Sequence, residues 1–167
     1  MTKITFTTCF ILLMFVANAQ GKKQNADRLK DDAEFFTLEG EHEKAYQTYK
    51  ELINLDPENY FYKFQCGLSA LNLPFRKAET IDIFEDIIKT PVKDKLDLTS
   101  YLGKQYESIP VYYLGRAYHS NYKFDEAIKY FNDFLATRPA DLKIKDEVQH
   151  YLHFSESAHD IVSKPTK

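Results

Sequence analysis

Polar and apolar positions along this chain fall into a helical rhythm that recurs. Leu29, Ala33 and Phe36 are spaced by four and three, so they share one face of a helix over Arg28–Leu38 that Gly40 breaks. Ala45, Tyr49, Leu52 and Ile53 do the same for a helix over Glu43–Leu55. Asp56-Pro57 stops it, because proline disfavours helix for the residue before it. The pattern predicts a second pair over Tyr60–Leu71 and Lys77–Lys89, with Gly67, Leu71, Thr80, Phe84, Ile87 and Ile88 inward and Thr90-Pro91 as the stop. Its turn, Asn72-Leu73-Pro74-Phe75, is one residue longer than the first. A third pair follows over Pro110–Ser120 and Asp125–Thr137, with Pro110 in a first turn that tolerates proline. Tyr113, Leu114, Gly115, Ala117 and Tyr118 pack its first helix, Ala127, Tyr130, Phe131 and Phe134 its second, and Pro139 ends it. A final helix over Leu142–Val162 carries Val148, Tyr151, Leu152, Ser155, Ala158, Ile161 and Val162 at helical spacing.

The rhythm has a period. Pro57, Pro91 and Pro139 lie 34 and 48 residues apart, and so do Ala33, Gly67 and Gly115. Tyr49, Phe84 and Phe131 are separated by 35 and 47. The longer interval is the shorter one plus an insertion, placed at 92–107, where the pattern is mixed and an irregular excursion is expected. Such a period marks stacked repeats, each burying its apolar face on its neighbours. The expected fold is all-α, with units at about 26–59, 60–91 and 108–141 and a cap at 142–162. The 12 Tyr, 13 Phe and only 5 Gly suit packed helices better than β-turn architectures.

The first 19 residues have a short positive region at Lys3, an apolar run densest over Cys9–Ala17, and a small-x-small end at Ala17-Asn18-Ala19. This reads as a secretory signal peptide, since the run is shorter than the roughly 20 apolar residues of a membrane span. Residues 20–25 form a polar leader and 163–167 a tail. Cleavage after Ala19 would leave 148 residues, with 21 Lys+Arg against 25 Asp+Glu, a net charge of −4. That balance lacks the basic cluster of a nucleic-acid footprint. Cys66 would be the one remaining cysteine, so no internal disulfide is expected.

Little points to catalysis. No Ser/His/Asp arrangement, phosphate-binding glycine loop or HExxH occurs. Cys66, beside Gly67 in a packed helix, reads as a small buried hydrophobe. His150 and His153 share a helix face but bring no evident third ligand. No metal, cofactor or small-molecule substrate is expected, and the chain is read as not an enzyme.

In the third unit Gly115, Tyr118, Ala127, Phe131 and Pro139 stand at steps of three, nine, four and eight; Ala33, Phe36, Ala45, Tyr49 and Pro57 repeat those steps in the first. This pattern resembles the tetratricopeptide repeat. The second unit keeps Gly67, Phe84 and Pro91 but has Thr80 in place of the alanine. The resemblance covers Ala26 to about Val162 and implies a right-handed solenoid that binds other proteins. Tyr112–Phe131, after a repeat pair and an insertion, also resembles the N-terminal repeat domain of Gram-negative envelope proteins. In those, a PD40 β-propeller and an OmpA-like peptidoglycan-binding domain follow, and some are similar to components of type IX secretion and gliding machinery. Neither later domain is among these 167 residues, so peptidoglycan binding does not carry over. The chain is a stand-alone relative or a piece of a longer one.

By the same resemblance, the first helix of each pair lines a concave groove. The positions facing it map to Asp27, Lys30, Glu34 and Thr37, then Phe61, Phe64, Leu68 and Leu71, then Tyr112, Arg116 and His119. Its middle would be apolar and its ends charged. Either it receives a partner segment, or the final helix or the insertion folds back over Phe61 and Phe64. Only Lys30 and Arg116 could grip a carboxylate, and they lie two units apart, so a C-terminal carboxylate clamp is not expected. The expectation is a periplasmic or outer-membrane-associated scaffold for another protein, touching the membrane at most indirectly. The alternative is a structural subunit of a secretion or motility complex held by its convex face or insertion.

Overall fold

The computed structural model describes residues 23–89, 108–137 and 141–163. Among these the chain is all-helical, with seven helices and no strand. They are α1 (23–38), α2 (His42–Leu55), α3 (Tyr60–Leu71), α4 (Lys77–Lys89), α5 (Ile109–Ser120), α6 (Phe124–Ala136) and α7 (Leu142–Ser163). The signal-peptide and insertion readings, and residues 164–167 of the tail, lie outside the described residues. Residues 23–25, read as part of a polar leader, already belong to α1.

Local chemistry sets the ends. Gly40 turns the chain between α1 and α2 in the left-handed region at φ 70. The Asn59 side chain caps α3 by accepting from the Tyr62 amide at 3.1 Å. Asp141 Oδ1 accepts from the amides of Lys143 and Ile144 ahead of α7. The longer turn between α3 and α4 tucks Leu73 into the core.

Each helix packs on the next along the chain. One contact recurs in the second and third hairpins: a glycine on the first helix lies against an aromatic ring on the second. A Cβ added at Gly67 would come within 2.8 Å of the Phe84 ring, and one at Gly115 within 2.7 Å of the Phe131 ring. Ala33 and Tyr49, at the matching positions, are both buried. Thr80, where the other hairpins carry alanine, is fully buried and satisfies its hydroxyl on the Lys77 carbonyl.

The interior divides in two. One cluster joins α1 and α2 to one side of α3 through Leu29, Ala33, Tyr46, Tyr49, Leu52, Cys66 and Ala70. The other runs from the opposite side of α3 to α7 through Phe64, Phe84, Tyr112, Phe131, Phe134 and Val148. Polar bonds stitch successive hairpins. Arg76 makes two bonds to Glu43, at 2.7 and 3.1 Å, lies 4.3 Å over the Tyr46 ring, and reaches Glu79. Tyr46 also donates to Glu79, and Tyr118 donates to Glu85 at 2.7 Å. Asn121 donates to the Lys77 carbonyl at 2.7 Å.

Candidate functional site

An open cleft of about 290 Å³ lies where α1 and α3 pass each other. Glu34, Thr37 and Leu38 come from α1, Phe61 and Gln65 from α3, and Tyr49 from α2 forms part of the lining. The helical period explains the set: Glu34, Thr37 and Leu38 are three and four apart, as are Phe61 and Gln65, so each helix offers one stripe. Tyr49 is buried and Phe61 half-buried, giving an apolar wall. Thr37 donates to the Ala33 carbonyl at 2.8 Å and lies 3.4 Å from the Tyr49 hydroxyl. Glu34 stands exposed at the rim, 3.9 Å from Lys30.

Gln65 is the distinctive member. It is 2 % exposed, its carboxamide has both donors and an acceptor, and it finds no hydrogen-bond partner among the described residues. That places a polar group without a partner from the described residues at the open mouth of an otherwise apolar cleft.

Of the positions mapped to a groove, the structure brings Glu34, Thr37 and Phe61 together at this cleft, with Lys30 beside Glu34. Leu68 and Leu71 are half-buried and pack against the larger cluster, and Asp27 is exposed on α1. Phe64 corrects the expectation. It is fully buried against the Phe84 and Tyr113 rings, centroids 6.1 and 5.5 Å away, so the next hairpin covers it and it lines no surface.

The third-unit positions are corrected too, by the last helix. α7 covers Tyr112, Arg116 and His119 rather than Phe61 and Phe64. Tyr112 is 2 % exposed among Phe131, Phe134 and Tyr151. Its hydroxyl forms no well-directed hydrogen bond among the described residues, and burial, with Glu147 nearby, pushes its ionisation far up. The Arg116 guanidinium lies 5.0–5.8 Å over the rings of Tyr151, Tyr113 and Tyr112 and 3.7 Å from Glu147. His119 shares a 2.8 Å hydrogen bond with Ser155 of α7, and burial pulls its pKa down. These side chains hold the last helix in place.

Cys66 is buried with its sulfur 4.0 Å from the Tyr46 carbonyl, and burial pushes its thiol up to about 12. Among the described residues no group of three or more His, Cys, Asp or Glu is placed to hold a metal, and no helix is long and apolar enough to cross a membrane. Gln65 escaped the sequence reading, which takes Tyr49 as an inward residue but not as part of a cleft. The available signal was an uncharged amide inside Tyr60–Ala70, a stretch rich in apolar residues.

No protein-family model matches the chain, and no curated protein matches it.

Proposed function

We propose that this chain is a non-enzymatic scaffold, a right-handed solenoid of three tetratricopeptide-like helix pairs closed by α7, which receives a segment of another protein in the α1/α3 cleft. The glycine-against-aromatic contact of the second and third hairpins, with Ala33 and Tyr49 buried at the matching positions of the first, supports the repeat reading. The Gln65 amide, facing an open apolar cleft with no partner among the described residues, carries the binding reading. An extended peptide suits it chemically. A bulky apolar side chain fills the wall of Tyr49 and Phe61, a backbone amide meets the Gln65 carboxamide, and a basic residue meets Glu34. Residues 1–19 support export to the cell envelope, and the intact mass of the protein recovered from cells tests that part by the loss of those residues.

The binding test places a photo-crosslinking amino acid at Leu38, on the cleft rim, or at His153, on the exposed face of α7, in cells that make the protein naturally. Crosslinks at Leu38, absent at His153 and lost on adding Gln65→Leu, are the expected result. Leucine keeps the volume and removes only the amide, so the variant still folds, which its melting curve checks. Crosslinking that is equal at both positions, or indifferent to Gln65→Leu, refutes recognition in the cleft.

A further inference from the structure

The hairpin turns share one edge of the array and carry side chains that ordinary turn chemistry does not call for. Leu38, Phe75 and Tyr122, one from each hairpin, are 85 %, 71 % and 77 % exposed. Turns favour Gly, Asn, Asp, Ser and Pro, and these exposed large apolar groups make edge contacts within the chain, Phe75 with Arg76 and Tyr122 with Phe124. Tyr122 adds backbone strain: it sits at φ 60, seven residues after Gly115, just as Gly40 sits at φ 70 seven residues after Ala33. The last helix approaches the same end, His159 lying 3.1 Å from Asp125 in the first turn of α6. Of nine large apolar side chains exposed among the described residues, three stand one in each hairpin turn or at its edge. The row is also rigid, since Arg76–Glu43 and Asn121–Lys77 tie each turn to the hairpin before it.

The row is self-complementary. Phe75 stands in the middle, Leu38 at one end and Tyr122 at the other. The Leu38 end carries exposed Glu39 and the Tyr122 end exposed Lys123, neither with an ion-pair partner among the described residues. A two-fold axis through Phe75 lays Leu38 of each copy against Tyr122 of the other, sets Glu39 against Lys123 twice, and pairs Phe75 with its own mate. We propose that the turn edge is an interface on which two copies of this chain associate antiparallel. The small area of a row of turns makes it a weak, concentration-dependent dimer, and it shares Leu38 with the rim of the α1/α3 cleft.

Sedimentation of the full chain over a concentration series tests this. The expected result is a mass rising toward twice that of the chain. Glu39→Lys or Lys123→Glu alone should weaken association about tenfold, because each change turns two symmetric attractions into repulsions. The double variant should recover it. In a second arm on a Cys9→Ser background, where Cys66 is buried, Phe75→Cys should close a symmetric disulfide faster than Leu38→Cys. Each variant must melt like the parent at high dilution. A chain that stays monomeric, charge reversals that do not compensate, or Leu38→Cys linking as fast as Phe75→Cys overturns the proposal. A monomer that instead sediments with phosphatidylcholine vesicles assigns the row to a lipid surface and overturns it equally.

Discussion

Replacing Gly115 by alanine sets two well-known effects against each other. Alanine in a helix interior is worth about 1 kcal/mol over glycine. The added Cβ, however, falls 2.7 Å from both Cδ1 and Cε1 of Phe131 and 3.3 Å from its Cγ. Carbon pairs rest at about 3.5–4.0 Å, so the ring must retreat by roughly 1 Å. It has nowhere to go: Phe131 is fully buried, the Tyr151 ring stacks on it with centroids 6.0 Å apart, and Tyr112 lies at 6.2 Å. Overpacking of this kind costs about 1–3 kcal/mol, so taking about 2 and crediting the helix gain leaves a net loss of about 1 kcal/mol. For a chain of this size that lowers Tm by about 2–4 °C. Thermal unfolding followed by circular dichroism reads it directly. Gly115→Trp, which adds a whole indole at the same contact, should leave no folded baseline, and combining Gly115→Ala with Phe131→Leu should recover part of the loss. A rise in Tm for Gly115→Ala would mean that helix propensity wins and the ring is free to move, and the close hairpin contact would lose its structural role.

Three further outcomes follow from named groups. Tyr122→Gly should raise stability by about 1 kcal/mol, since glycine occupies φ 60 without the Cβ strain of a left-handed residue and only a ring contact with Phe124 is lost; a fall in Tm would refute the strain. The Glu43 carboxyl is held down to about 2, first by its hydrogen bond to Arg76. Its folded pKa lies below the ordinary carboxyl value of 4.5, so its contribution is complete above about 4.5 and disappears as pH falls toward 2. Urea unfolding at a series of pH values should show the gap between wild type and Glu43→Gln closing over that window, and a gap independent of pH would count against the Arg76 bond. Cys66 should resist a thiol reagent in the native protein and react only at the unfolding rate, because its sulfur is buried and its thiol raised to about 12; fast native labelling would contradict that.

The helices were largely legible because apolar spacing and proline stops fix local structure. Asp56-Pro57 marks where α2 ends, and the small-and-aromatic spacing matches the close Gly67–Phe84 and Gly115–Phe131 contacts. The groove was legible only in part. A repeat position says which way a side chain points, but not how thick a layer the next element lays over it. Phe64 and Tyr112 point as mapped and still vanish into the core, because Tyr113 and then α7 close over them. The reach of α7 over Arg116 and His119 depends on Tyr151, Ser155 and Glu147 arriving from 30 or more residues downstream, information no local window holds. Gln65 was missed for the opposite reason: one amide amid apolar neighbours looks unremarkable until its surroundings show that nothing answers it.

The divided interior has a consequence for how the molecule comes apart. α3 is a party wall between two rooms, with Cys66 and Ala70 facing one and Phe64 the other. The first hairpin can therefore unlatch from α3 while the five remaining helices keep their own interior. Opening from that end must break the Arg76–Glu43 and Tyr46–Glu79 bonds, whereas opening from the other must strip α7 from its tyrosine-and-arginine clasp. Since the α1/α3 cleft spans the first of these seams, whatever settles there acts as a bolt across it, and occupancy should register as slowed amide exchange in α1 and α2 with little change in α5 to α7.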